Sequence, residues 1–360
     1  LTKNPCPYKD VSLVTETHSK LELKQQRIKI NVKEAQFTIQ SIFSSIGCTP
    51  RVAEQIAEHL IDSSLCGVES HGLMRALQYA DQFKSGYIVC DAEPTLKKTA
   101  NGGHVVDGGG GIGIPAMQVA FEKAMSLASE TGISALAVKN VGHTGRCGAF
   151  ADNAAGQGFL TILIGGGNRK KWRQVAPYGG ARAMLPTNPW CIGMPGGLLG
   201  PIVLDFATSK IAGGWIYAAK SAGALLPAGC LIDKEGNPTR DPNDYFSGGA
   251  ILPAGEHKGY GLALIAELIG EAMLGPVATE ANWLLICIKT GLYNSHGLLT
   301  EISEEILNDM RLCPPAPGFL RVEIPGERER NHKQASDGII AIPEPTWLQI
   351  KNLESSLCAL

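Results

Sequence analysis

The sequence predicts an α/β fold on a mixed sheet, joined to a separate, mainly helical domain. Apolar residues recur at helical spacing over residues 33–83, and from about residue 100 short apolar strands alternate with glycine turns and helices. Residues 179–241 hold Pro, Gly and short extended runs without helical periodicity, which makes the sheet mixed rather than purely parallel.

Residues 1–30 read as an N-terminal arm, with extended stretches at 11–14 and 27–30. A helix over 33–46 follows, with Ala35, Ile39, Ile42, Phe43 and Ile46 on one face. Thr49-Pro50 opens a second helix running to about residue 64, because Pro in the first turn gives up no intrahelical bond. A third spans about 70–83 and ends near Ser85-Gly86. Next come a strand at 104–106, a helix at 115–131, a strand at 133–138, a helix at 149–157 and a strand at 159–164. A long apolar helix covers 258–274, and the last ~80 residues mix short helices and strands that pack back on the first helices. The domain division is therefore an arm at 1–30, a mainly helical domain at 31–100 plus 257–360, and a sheet domain at 101–256.

A chain of 360 residues and 38.1 kDa accommodates about two domains. Charged residues at 18% against 44% hydrophobic describe a folded protein. Lys plus Arg number 32 and Asp plus Glu 34, so the charge of -2 recruits neither nucleic acid nor an anionic membrane. The ten cysteines include no C-x-x-C pair, which suits reduced thiols in the cytoplasm rather than a disulfide framework or a zinc ribbon. No apolar run approaches the ~20 residues that span a bilayer, and the polar start lacks the apolar core of a secretory leader.

Gly108, Gly110 and Gly113 satisfy G-x-G-x-x-G after a strand, the spacing of a dinucleotide-binding turn. The acidic residue that should end the next strand is replaced by Lys139-Asn140, so the loop is a pyrophosphate cradle or simply a tight turn. On a continuous helix His71, Arg75 and Tyr79 would align at i, i+4 and i+8. That stripe joins a proton-transfer group to a carboxylate clamp, or is incidental. Asn140 to Gly145 brings His143 between glycines at the C-terminal end of a strand, where open α/β sheets gather ligands. Asp205 to Lys210 reads as a strand end with a helix cap, and His257-Lys258 precedes a helix whose N-terminus suits an anion. No H-E-x-x-H, G-x-S-x-G, P-loop or clustered metal-ligand pattern occurs, so no metal is expected.

Together these motifs resemble the malate/L-lactate dehydrogenase family of the second, non-Rossmann type, which also holds ureidoglycolate, sulfolactate and diketogulonate enzymes and cyclic imino acid reductases. The resemblance rests on Gly67-Val68-Glu69-Ser70-His71-Gly72 with Arg75 and Tyr79, Val106-Asp107-Gly108, and residues 140–145. It continues through Ala176-Pro177-Tyr178-Gly179-Gly180, Thr187-Asn188-Pro189, residues 205–209, 236–242 and 255–262, and Ile324-Pro325-Gly326-Glu327. It implies a homodimeric NAD- or NADP-dependent oxidoreductase with a non-Rossmann nicotinamide-binding domain at 101–256 and a helical substrate and dimer domain. It also implies His71 and His143 as proton-transfer candidates and Ser70, Arg75 and Tyr79 as substrate-binding groups. The cofactor would lie along Thr187, Asn188, Pro189, Asp205, Ala207, Thr208, Ser209, His257, Lys258, Pro325, Gly326 and Glu327.

The implied reaction transfers a hydride between NAD(P) and a small 2-hydroxy or 2-oxo acid such as malate or lactate. Cyclic imine reduction on the same scaffold and an inert ligand-binding relative are the alternatives. The basic run from Asn168 to Arg173 departs from the family pattern, offers no acid to orient a histidine, and is either a 2′-phosphate pocket or a solvated loop. Residues 276–293 are only loosely family-like, and the first ~27 residues have no counterpart.

Overall fold

The computed structural model describes residues 26–358, so the extended stretch expected at 11–14 lies outside the described residues. In chain order they form β1 (Arg27–Asn31), α1 (Val32–Ile46), α2 (Pro50–Leu65), α3 (Arg75–Lys84), β2 (Thr95–Lys98), β3 (His104–Asp107), α4 (Gly113–Thr131), β4 (Ile133–Val141), α5 (Cys147–Gly156) and β5 (Phe159–Gly166). There follow β6 (Trp190–Met194), β7 (Ile202–Phe206), α6 (Gly213–Ala222), β8 (Leu231–Ile232), β9 (Pro238–Thr239), α7 (Pro242–Phe246), β10 (Ala250–Ile251) and α8 (His257–Glu267). The last part adds β11 (Ala281–Lys289), α9 (His296–Arg311), α10 (Glu327–Ser336), β12 (Ile339–Pro343) and α11 (Glu344–Cys358).

The first helices form where capping and periodicity agree. Asn31 accepts the Glu34 amide at 2.8 Å and Thr49 accepts the Val52 amide at 3.3 Å, while Gly47 closes α1 at φ +108°. Ile39, Ile42 and Phe43 of α1 meet Ile56 and Leu60 of α2, Tyr79 of α3, and Trp347 and Ile350 of α11 in one apolar cluster. The C-terminal segment thus packs on the first helices, and β12 pairs antiparallel with β1.

The main sheet has seven strands in the order β2-β3-β4-β11-β5-β6-β7. Only β3 and β4 run parallel, so the sheet is mixed. The structure corrects the domain division expected from the sequence at residues 281–289. Instead of joining the helical part, they form β11 at the centre of the sheet, antiparallel to both β4 and β5. Its partners are more than a hundred residues away, and local pattern does not encode such pairing. Likewise β2, before residue 101, extends the sheet through β3.

Two expected helices are broken by close packing. The segment expected as a helix over 70–83 is a 3₁₀ turn at Glu69–His71, an extended Gly72, and then α3 from Arg75. At Gly72 a Cβ would stand 2.3 Å from Ser64 Oγ, which itself accepts the Leu73 amide at 3.0 Å. The helix expected over 258–274 turns π-helical at Leu268–Met273, where Gly270 presses on the backbone of Gly166 and Gly167. Among the described residues no helix is long and apolar enough to cross a membrane.

Candidate active site

The G-x-G-x-x-G loop takes the tight-turn form. Gly108, Gly110 and Gly113 donate their amides to the carbonyls of Lys139, Asn140 and His143 at 2.8–2.9 Å, and Gly142 donates to Gly111 at 2.8 Å. With those donors occupied by backbone, the loop cradles no phosphate; it buttresses the segment after β4 that carries His143.

That segment meets the Glu69–His71 turn. The rings of His71 and His143 lie 5.3 Å apart, tilted by 31°. Tyr79, fully buried, places its hydroxyl 2.6 Å from His143 Nδ1, and the Gly145 amide donates to the same nitrogen at 3.1 Å. Ser70 Oγ lies 3.0 Å from His71 Nδ1. Arg75 is held by its Nε, which donates to the Ser70 carbonyl at 2.5 Å, and by Nη1 bonded to Gln78; Nη2 makes no hydrogen bond among the described residues. The sequence stripe is therefore not one helix face. His71 sits on its own turn, and Tyr79 points at His143.

Burial first, and then the Arg75 charge, lowers both histidines: His71 falls to about 3 and His143 lies well below the usual range. Both rings are neutral at pH 7 in the protein without ligand. Burial likewise raises the Tyr79 phenol, which stays protonated.

Three neighbours carry no sequence motif. His59 on α2 accepts the Arg146 amide at 2.8 Å through Nε2, stacks on Phe150 with centroids 5.0 Å apart, and is lowered by burial to about 4. Glu280 accepts from Gln82 Nε2 at 3.2 Å, and burial raises its carboxyl although Gln82 and Arg75 pull it down. Asn168 fixes this region by donating its Nδ2 to the carbonyls of Thr279 and Glu280 at 2.7 and 2.8 Å. A half-buried acid thus reaches Gln82 and Arg75 from across the basic loop, which itself holds none. A histidine inside an amphipathic helix and an acid just before a strand look ordinary in sequence; the one signal for His59 is its place three residues before Asp62 on α2.

The basic run is largely engaged. Arg169 and Lys170 reach Glu271 at 3.0 and 3.4 Å, and Lys171 donates to the Ala278 carbonyl at 3.1 Å.

The residues expected to line a cofactor fall into two groups. Thr208 donates both its amide and its hydroxyl to the Thr187 carbonyl at 2.9 Å, and Ala254 donates to the Thr208 carbonyl at 2.8 Å. Thr187 to Pro189, Ala207 to Ser209 and the approach to His257-Lys258 are thereby joined. Gly214 stands beside Ser70, close enough that a Cβ on it would lie 3.8 Å from Ser70 Cβ, so the chain after Ser209 leads to the histidine pair. Pro325 and Gly326 lie along β7, where Val203 donates to the Pro325 carbonyl at 3.2 Å. Two of the acids have structural partners: Asp205 accepts the Gly148 amide at 2.6 Å at the start of α5, and Glu327 pairs with Arg311 at 2.6 Å.

A sequence profile of the malate/L-lactate dehydrogenase family matches residues 30–351. The chain belongs to that family. Its members are NAD(P)-dependent hydroxy acid dehydrogenases and imino acid reductases. The chain is 30% identical over 341 residues to a Δ1-pyrroline-2-carboxylate/Δ1-piperideine-2-carboxylate reductase of Pseudomonas putida, covering 91% of this chain and 97% of that one. It is 32% identical over 349 residues to an L-lactate dehydrogenase of Cupriavidus necator, covering 92% and 98%. The solved sulfolactate dehydrogenase of Methanocaldococcus jannaschii superposes with a TM-score of 0.80 at 29% identity, over 92% of this chain and 97% of that one.

Chemically, the arrangement suits a nicotinamide dinucleotide. Asn188 Oδ1 is buried without a partner, and the start of α8 has no side-chain cap. At the histidine pair, two neutral imidazoles with the open Nη2 of Arg75 can bind an acid and move a proton at its reacting atom.

Proposed function

We propose that this chain is an NAD(P)-dependent oxidoreductase that interconverts a small 2-hydroxy acid, such as malate or lactate, and its 2-oxo acid at the His71–His143 site. The observation that carries this is the neutral histidine pair, 5.3 Å apart, with Arg75 beside it.

Arg75 Nη2 takes the substrate carboxylate. That contact also offsets the cationic field that depresses both imidazoles, so binding of the acid itself makes them more basic. In oxidation an imidazole takes the hydroxyl proton, and in reduction it returns a proton to the nascent alkoxide. A nicotinamide, when bound, supplies the hydride donor or acceptor. Thr187 to Pro189, Ala207 to Ser209, His257-Lys258 and Pro325-Gly326 would hold it, with Asp205 and Glu327 shaping the strip through their structural bonds.

Reduction of a cyclic imino acid is the second reading, favoured by the Pseudomonas putida relative. Absorbance of the reduced nicotinamide, with NADH and NADPH in turn against 2-oxo acids and cyclic imino acids, separates the two. Arg75→Gln should raise KM for the acid about 30-fold and leave coenzyme Kd unchanged. Silence across the panel, together with no coenzyme binding, would overturn the proposal.

A further inference from the structure

We infer that the two histidines have different roles: Tyr79 and the Gly145 amide fix His143 as a neutral hydrogen-bond donor to the reacting substrate atom, and His71 is the group that gains and loses the proton. This rests on the reaction proposed above taking place at the pair.

An imidazole Nδ1 offers a hydrogen to a partner or a lone pair, never both. The Gly145 amide can only donate, and it points at His143 Nδ1 from 3.1 Å. That nitrogen is therefore bare, and the neutral ring carries its hydrogen on Nε2. Tyr79 lies 2.6 Å from the same nitrogen and, being buried and protonated, donates to it as well. Protonating Nδ1 would set its N–H against the Gly145 N–H and reverse the Tyr79 bond. His143 Nε2 makes no hydrogen bond among the described residues, which leaves its N–H for a ligand.

His71 carries no such lock. Its Nδ1 meets only the Ser70 hydroxyl at 3.0 Å, a group that donates or accepts as required. The charged and titratable groups acting on the pair are Arg75 from α3, His59 from α2, Arg146 from the start of α5, and each other. None is a carboxylate; the nearest acid, Glu280, acts one step away, on Arg75 and on Tyr79. In oxidation the substrate O–H bond breaks and its proton passes to His71; an oxidised nicotinamide, when bound, would accept the carbon-bound hydrogen as hydride. His143 keeps its own proton throughout and bonds the forming carbonyl oxygen through Nε2–H. Tyr79 is then a positioning residue that acts through His143.

The deciding experiment is nitrogen NMR on the full chain labelled at histidine, without ligand, from pH 5 to 8. His143 should show a bare Nδ1 and a protonated Nε2 throughout, and Tyr79→Phe, which leaves the Gly145 amide in place, should shift the Nδ1 resonance as the shorter of its two hydrogen bonds is lost while the tautomer is kept. A protonated Nδ1 in the unaltered chain, or a signal that Tyr79→Phe leaves unchanged, would overturn the inference. Kinetics give the second arm. Tyr79→Phe should lower kcat about tenfold with KM for the acid unchanged. His143→Gln, which keeps an N–H donor, should retain the acid limb of the pH profile, whereas His71→Gln should lose that limb and at least about 100-fold in kcat. Loss of the limb in His143→Gln would reverse the assignment. The NMR result is read without turnover, so a chain that reduces none of the acids would defeat the proposed reaction while the tautomer is still decided.

Discussion

Arg146 Nη2 lies 2.5 Å from Asp62 Oδ2, joining the start of α5, three residues on from His143, to α2. The two side chains are 11% and 25% exposed, so the pair is largely shielded from solvent, and Lys333 adds a 2.6 Å contact to the other carboxylate oxygen. Burial alone would raise Asp62, but Arg146 and Lys333 outweigh it and hold the carboxyl below its usual range. Asp62→Asn would leave Arg146 poorly paired and should cost roughly 3 kcal/mol in urea unfolding. Lys333→Ala, which removes the exposed partner, should cost under about 1 kcal/mol. Equal losses from the two variants would show that the buried contact carries no special weight.

Stability should fall in mild acid because burial holds three histidines below their usual range, and His59 is the one outside the pair. Its folded value of about 4 lies below the usual 6.5, so the unfolded chain binds a proton that the folded chain refuses. The contribution is complete above about pH 6.5 and drains away as the pH falls toward 4, at close to 1.4 kcal/mol per pH unit for this one group. Unfolding midpoints measured from pH 7 to 4 should decline, and His59→Gln should flatten the decline by one proton.

Gly145 should tolerate no side chain. It has φ +71°, and a Cβ there would stand 2.2 Å from His59 Nε2. Gly145→Ala should cost more than about 2 kcal/mol and lower kcat by displacing His143. Gly156→Ala, at an α5 position with open space around it, should be neutral or stabilise by up to ~1 kcal/mol. Thermal melts of both variants give the comparison.

Asn188 joins the expected cofactor strip to the core, since its Nδ2 donates to buried Glu267 at 2.7 Å. Asn188→Asp would set two carboxylates together, with a loss near 2 kcal/mol that is larger at pH 8 than at pH 5. Urea unfolding at the two pH values checks the sign. A pH-independent loss would point to packing alone.

What the sequence reveals and what it hides follow a physical line. The alternation from His104 to Ile164 is legible because each strand and helix there carries its own period, and the structure keeps those elements with ends shifted by a few residues. Asn31, Thr49 and Gly47 mark helix ends through local chemistry. The break at Gly72 is hidden because its cause is Ser64, on another helix, and the π turn because its cause is the backbone of Gly166. His71, His143 and Arg75 stand out as residue types in glycine-rich or striped settings. Glu280 does not, because only the fold brings an acid from before β11 beside Gln82 on α3.

The place of β11 has a consequence for how the chain comes to be folded. Until Ala281–Lys289 is available, β4 and β5 have no strand between them, and each presents an unpaired edge of eight or nine residues. During synthesis the whole stretch between β5 and β11 must emerge before the sheet can close, which makes closure a long-range event. Chains stopped short of Lys289 should therefore be prone to edge-to-edge association and dependent on chaperones, even though every residue of the histidine pair and its Arg75 has already been made.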